Sequence, residues 1–112
     1  MAAFGQQVTV GTATLIFACV DVDTYKANNY NPTDNPNIFI AGAATDPLPL
    51  LLAFPTGTIY LGGSNVSVTG SPHAGAAIIG PYTLAYNAVG GDSLYGIIAT
   101  GSVIVSILAM RQ

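Results

Sequence analysis

Glycine and proline punctuate this chain closely enough to argue against a helical fold. Its 112 residues include 13 Gly and 7 Pro. Outside Leu94 to Met110, they interrupt most of the windows of about a dozen residues from which a stable helix could grow. Between the breakers lie short runs of Val, Ile, Thr, Tyr, Phe and Leu, residues that suit a pleated, half-buried surface. These runs predict strands at Gln7 to Val10, Thr12 to Val20, Asn37 to Ala41, Leu50 to Phe54, Thr58 to Leu61, Asn65 to Thr69, Ala76 to Ile79, Thr83 to Tyr86, Leu94 to Ala99 and Ser102 to Ala109. Turn chemistry predicts reversals at Pro55-Thr56-Gly57, Gly62-Gly63, Gly70-Ser71-Pro72, Gly80-Pro81, Gly90-Gly91-Asp92 and Thr100-Gly101. Short strands at regular spacing imply an all-β domain spanning residues 1–112, an antiparallel β-sandwich or small barrel of jelly-roll type.

Charge is the second constraint. The chain carries five Asp, one Lys, one Arg and no Glu, with a net charge of -3, whereas an average domain is about 25 % charged. Lys26 and Arg111 alone cannot neutralise a phosphate backbone, so nucleic acid is not an expected partner. High hydrophobicity with little charge is the reverse of the disordered composition. Nor does the polar N-terminus at Gln6 and Gln7 resemble a secretory signal. The uncharged stretch Leu94 to Met110 approaches the length of a spanning helix. Its interior Gly96, Thr100-Gly101-Ser102 and Ser106, with β-branched neighbours, favours strands, so a small membrane-associated protein is only a second alternative.

Several strands are apolar on both faces, among them Leu15 to Ala18, Leu50 to Phe54, Ile97 to Ala99 and Val103 to Val105. A chain this small cannot bury all of them twice, which predicts contact with other subunits. One segment breaks the rhythm. Asp21 to Asn37 holds three of the five Asp, the only Lys, two Tyr and five of the seven Asn, and is expected to be an irregular functional loop insertion.

Candidate chemistry is sparse. His73, the only histidine, sits in a turn-rich context, and a general base would need an orienting carboxylate and a nucleophile beside it. Asp21 and Asp23 share one face only if extended, and a calcium loop requires a closing Glu. Cys19 lies in an apolar run and reads as a buried small hydrophobe. The glycine pairs lack the spacing and the following helix of a phosphate cradle. No catalytic residue, metal or cofactor is expected. Tyr25 and Tyr30 remain candidates for ligand contact.

The run Thr58-Ile59-Tyr60-Leu61-Gly62-Gly63-Ser64-Asn65-Val66-Ser67-Val68-Thr69 is followed by Leu94-Tyr95-Gly96-Ile97-Ile98-Ala99 and by Gly101-Ser102-Val103-Ile104-Val105-Ser106-Ile107-Leu108. Together with the opening Val8 to Ile16, this pattern resembles a group of small all-β virion proteins of tailed bacteriophages. The resemblance covers about two-thirds of the chain by eye; Val20 to Asn37 and Leu48 to Phe54 depart from it. It implies a non-enzymatic capsid decoration, or cement, protein on the virion exterior, often a homotrimer, whose partner is the major capsid protein of a phage. A tail or head fibre module that binds host glycans is the alternative. Expected partner contacts are Phe4, Gln6 and Gln7 in an N-terminal arm (1–7), and Tyr25, Tyr30 and Asn31 in the loop insertion (21–37).

Overall fold

The described residues form seven strands and one short helix. The computed structural model describes residues 2–42, 46–70 and 72–111, with residues 2–4 and 111 described by backbone alone. The elements are β1 (Ala2–Val10), β2 (Thr14–Val20), α1 (Val22–Ala27), β3 (Ile38–Ile40), β4 (Leu48–Gly62), β5 (Ala76–Ala88), β6 (Ser93–Ile97) and β7 (Val103–Arg111). The protein is all-β, a curled mixed sheet that forms a half-barrel.

The long β4–β5 hairpin organises the rest. β5 lies along one edge of β4 for its whole length. The other edge pairs first with β7, through Leu50 to Ala53, and then with β6, through Tyr60 to Gly62. Two smaller sheets therefore share the hairpin: β1-β7-β4-β5 and β3-β2-β6-β4-β5. Between them the β4–β5 register shifts, Phe54 facing Tyr82 and Gly57 facing Gly80, so that Pro55 and Thr56 together oppose Pro81. A bulge of this kind bends a strand, and bent strands make the corners where one sheet folds over another.

The composition that predicted turns at Pro55-Thr56-Gly57 and Gly80-Pro81 marks this corner instead. Prolines facing each other across a ladder remove a donor from both strands at one level, which a bulge tolerates. The expected strand at Asn65 to Thr69 is a turn with one isolated bridge, Ser67 to Ala74. Residues 2–7 are the greater part of β1, paired with β7 from Ala2–Arg111 to Val10–Val103, and not a free arm. Alternating Gln6-Gln7-Val8-Thr9-Val10 explains this, since Val8 and Val10 are buried in the core.

Among the named strands of the described residues, one pair is parallel: β2 with β3, from Ala18–Ile38 to Val20–Ile40. A parallel pair requires a long crossover, and the polar segment 21–37 is that crossover. It is not wholly irregular, because it contains α1. The core gathers Val8 and Val10 of β1, Ile16, Phe17 and Cys19 of β2, Phe39 of β3, Leu48, Leu50, Leu52, Phe54 and Ile59 of β4, and Val105, Ile107 and Ala109 of β7. Residues 94–110, weighed above as a spanning segment, are β6, a turn at Thr100-Gly101 and β7. Gly101 has φ +76 in that turn, where a Cβ is disfavoured. No helix among the described residues is long and apolar enough to cross a membrane, which says nothing of a strand-built span.

Candidate functional site

Two surfaces collect the expected contact residues. The first is the outer face of β1-β7-β4-β5. Strand alternation buries Leu50, Leu52 and Phe54 of β4 and turns Leu51 and Ala53 outward. Cross-strand register sets Gly5, Leu108, Leu51 and Ala85 in one row and Gln7, Ser106, Ala53 and Thr83 in the next. Leu51 is 43 % exposed, Ile104 51 % and Leu108 36 %. A shallow groove of about 500 Å³ runs over Gly5, Gln7, Leu51, Ala53, Ser106 and Leu108. No residue in these rows is charged.

The second surface is a cleft of about 430 Å³ where the half-barrel stays open. Gly5 and Gln6 of β1 line one wall and Ile38, Phe39 and Ile40 of β3 the other, with Tyr25, Pro32 and Pro36 contributed by the crossover. The Asp21 carboxylate caps α1 by accepting from the Thr24 N–H at 2.6 Å. That bond holds its carboxyl below the usual carboxylate range. Tyr25 then meets Tyr30 edge-on, with ring centroids 5.7 Å apart and planes at 63°. The Tyr30 N–H donates to the Tyr25 carbonyl at 3.1 Å, and Asn29, at φ 56, turns the chain between them.

The structure thus brings Gln6 and Tyr25 to one cleft and sets Tyr30 edge-on against Tyr25. Gln7 lies on the opposite, outer face. Phe4 sits in β1 opposite Ala109, and its side chain lies outside the described residues. Asn31 is engaged within its own loop. Its Oδ1 accepts from the N–H groups of Thr33 at 3.0 Å and Asp34 at 2.8 Å, and its Nδ2 donates to Asp34 Oδ2 at 3.1 Å. This is an Asx turn, a common use of Asn in irregular segments.

Other polar side chains bond within the chain. Asp92 Oδ2 accepts from the Tyr86 hydroxyl at 3.0 Å and the Val89 N–H at 2.9 Å. This bond raises the Tyr86 pKa. Cys19 is buried, and desolvation, aided by the negative charge of Asp92, pushes its thiol up to about 12. The exposed His73 places Nε2 3.3 Å from the Asn65 amide. No group of three His, Cys, Asp or Glu among the described residues could hold a metal ion.

Apart from Gln7, the outer-face rows and the β3 wall of the cleft were not singled out residue by residue from the sequence. Their signal was the two-sided apolar character of Leu50 to Phe54 and Val103 to Val105. No protein-family model matches the chain, and no curated protein or solved structure is significantly similar to it.

Proposed function

We propose that this chain is a non-enzymatic virion structural protein, a capsid decoration protein that binds the outside of a phage head as a homo-oligomer and stabilises it. One observation carries the reading beside the sequence resemblance: a four-stranded sheet face with no charge, on which Leu51, Ile104 and Leu108 stay 36 to 51 % exposed. Apolar surface gathered on one face marks an interaction site. An uncharged face can meet a protein shell without desolvating an unpaired ion. Repetition over many equivalent sites turns a modest contact into a strong one by avidity, and such binding persists at high salt because screening acts on charges. The major capsid protein is the proposed partner and the homotrimer the proposed form.

The test is to add labelled chain to heads purified from the phage whose genome encodes it, and to measure occupancy by sedimentation in low and high salt. Saturable decoration that survives salt is expected. A gene outside any phage genome, or heads left bare, overturns the proposal.

The Tyr25–Tyr30 pair beside the open cleft favours a second reading, a fibre module that stacks its aromatic rings on host glycans. A glycan array separates the two: sugar binding abolished by Tyr25→Ala supports the fibre reading, and an array without signal removes it.

A further inference from the structure

The sheet β1-β7-β4-β5 ends in two free edges, since among the described residues β1 pairs only with β7 and β5 only with β4. Natural edges are usually blunted by charge. Neither edge has any: the segments 4–10, 48–54, 82–88 and 103–110 contain no Asp, Lys or Arg. At the β1 edge the Gln6 amide donates to the Gln7 carbonyl at 2.9 Å, so a side chain satisfies an acceptor that a neighbouring strand would otherwise take. Antiparallel ladders alternate inward and outward pairs. Carried across the register from Gln7, that alternation turns the backbone groups of Gly5, Gln7 and Thr9 outward on β1, and those of Thr83, Ala85 and Asn87 outward on β5.

All three pairings in this sheet are antiparallel, so with four strands the two edges run in opposite directions. A second copy set beside the first in the same orientation therefore brings its β1 antiparallel to β5. We propose that copies of this chain join head to tail in this way, β5 of one pairing with β1 of the next to continue the sheet. Such a contact is heterologous, so its copies close into a ring when the rotation per step allows. The partner is a second copy because the two edges of one chain match each other in direction, in length between Tyr82 and Ala88, and in lack of charge. A twofold β5–β5 contact would set Pro81, which has no N–H, into the new ladder. The inference rests on the reading that the chain assembles, and not on what its outer face binds.

Native mass and strand-edge variants test it. The wild-type chain is expected at a multiple of 11.4 kDa. Gln7→Pro and Ala85→Pro each remove an outward N–H and leave the inner ladders intact. Each alone is expected at the single-chain mass. Mixed one to one they are expected to form a two-chain species, because each retains the edge the other lacks. Cross-linking keeps the test independent of proline tolerance. Gln7→Cys mixed with Ala85→Cys is expected to give a joined product with a short bis-maleimide, and neither variant alone should. Cys19, 2 % exposed, does not compete. A wild-type chain of single mass, or an Ala85→Cys variant that cross-links to itself, overturns the proposal. An oligomer that joins by these edges yet leaves heads bare would refute the decoration reading alone.

Discussion

Leu51 and Leu52 are neighbours on β4 with opposite environments, and substituting each separates binding from stability. Leu52 is fully buried and Leu51 is 43 % exposed in the outer face. Fully burying a Leu or Ile is worth about 1.5–3 kcal/mol, so covering what Leu51, Ile104 and Leu108 still expose contributes about 2–4 kcal/mol per docked face. That is roughly 30- to 1,000-fold in affinity. Leu51→Asp forfeits about 1–2 kcal/mol of the burial the folded chain already has, and up to about 1 kcal/mol of strand preference. Once docked, its carboxylate would lose water without a partner, at a cost of several kcal/mol. Head affinity is expected to fall by at least about 1,000-fold. Leu52→Ala leaves a cavity and costs about 2–5 kcal/mol of stability, yet the outer face stays intact and binding should hold while the chain is folded. Circular dichroism melting measures the first effect and co-sedimentation with heads the second. If Leu51→Asp binds like wild type, or if folded Leu52→Ala loses binding equally, the outer face is not the docking surface.

Three further outcomes follow from the geometry. Gly80→Ala is expected to destabilise by at least about 1–3 kcal/mol, because a Cβ there collides with the Pro55 carbonyl across the corner and backbone cannot yield as a side chain does; chemical denaturation measures it. Gly96→Ala places a Cβ 2.8 Å from Ile16 Cδ1, a side-chain tip that can move, so its melting temperature should fall less than that of Gly80→Ala. Cys19 should resist a thiol reagent until the chain unfolds. Its folded pKa of about 12 lies above the ordinary 9.0, so its stabilising contribution is whole below pH 9 and declines from there towards pH 12, where the unfolded chain has released a proton that the folded one retains. Alkaline unfolding that is identical in Cys19→Ser would refute this.

Much of the β architecture was legible. Val8 and Val10, Leu50 and Leu52, and Val105 and Ile107 alternate with the period of a strand and form the core as that period requires. Two signals misled because local chemistry does not record what faces it. Pro55-Thr56-Gly57 and Gly80-Pro81 carry turn residues, and only their juxtaposition on adjacent strands makes them one bulge. The segment 21–37 announced a loop by its Asn and Asp, yet nothing local says that β3 returns parallel to β2 and so needs a crossover of that length. Among the candidate contacts, Tyr25, an aromatic in a polar segment, lines the cleft. For Asn31 the sequence offers no distinction, because an Asx turn and a ligand contact ask for the same side chain.

That this chain builds strands, that it has apolar surface to spare, and that most of its few charges gather in one segment can all be read along the chain. These follow from composition and period, which act residue by residue. Where the spare surface lies depends on how the strands meet in three dimensions. Bending β4 and β5 at their facing prolines folds one sheet over the other and hides the second faces of some strands. It leaves Leu51, Ile104 and Leu108 on an uncharged outer face between two open edges. Which strands lie beside one another depends on pairings made far along the chain, and those long-range choices set the surface available for assembly.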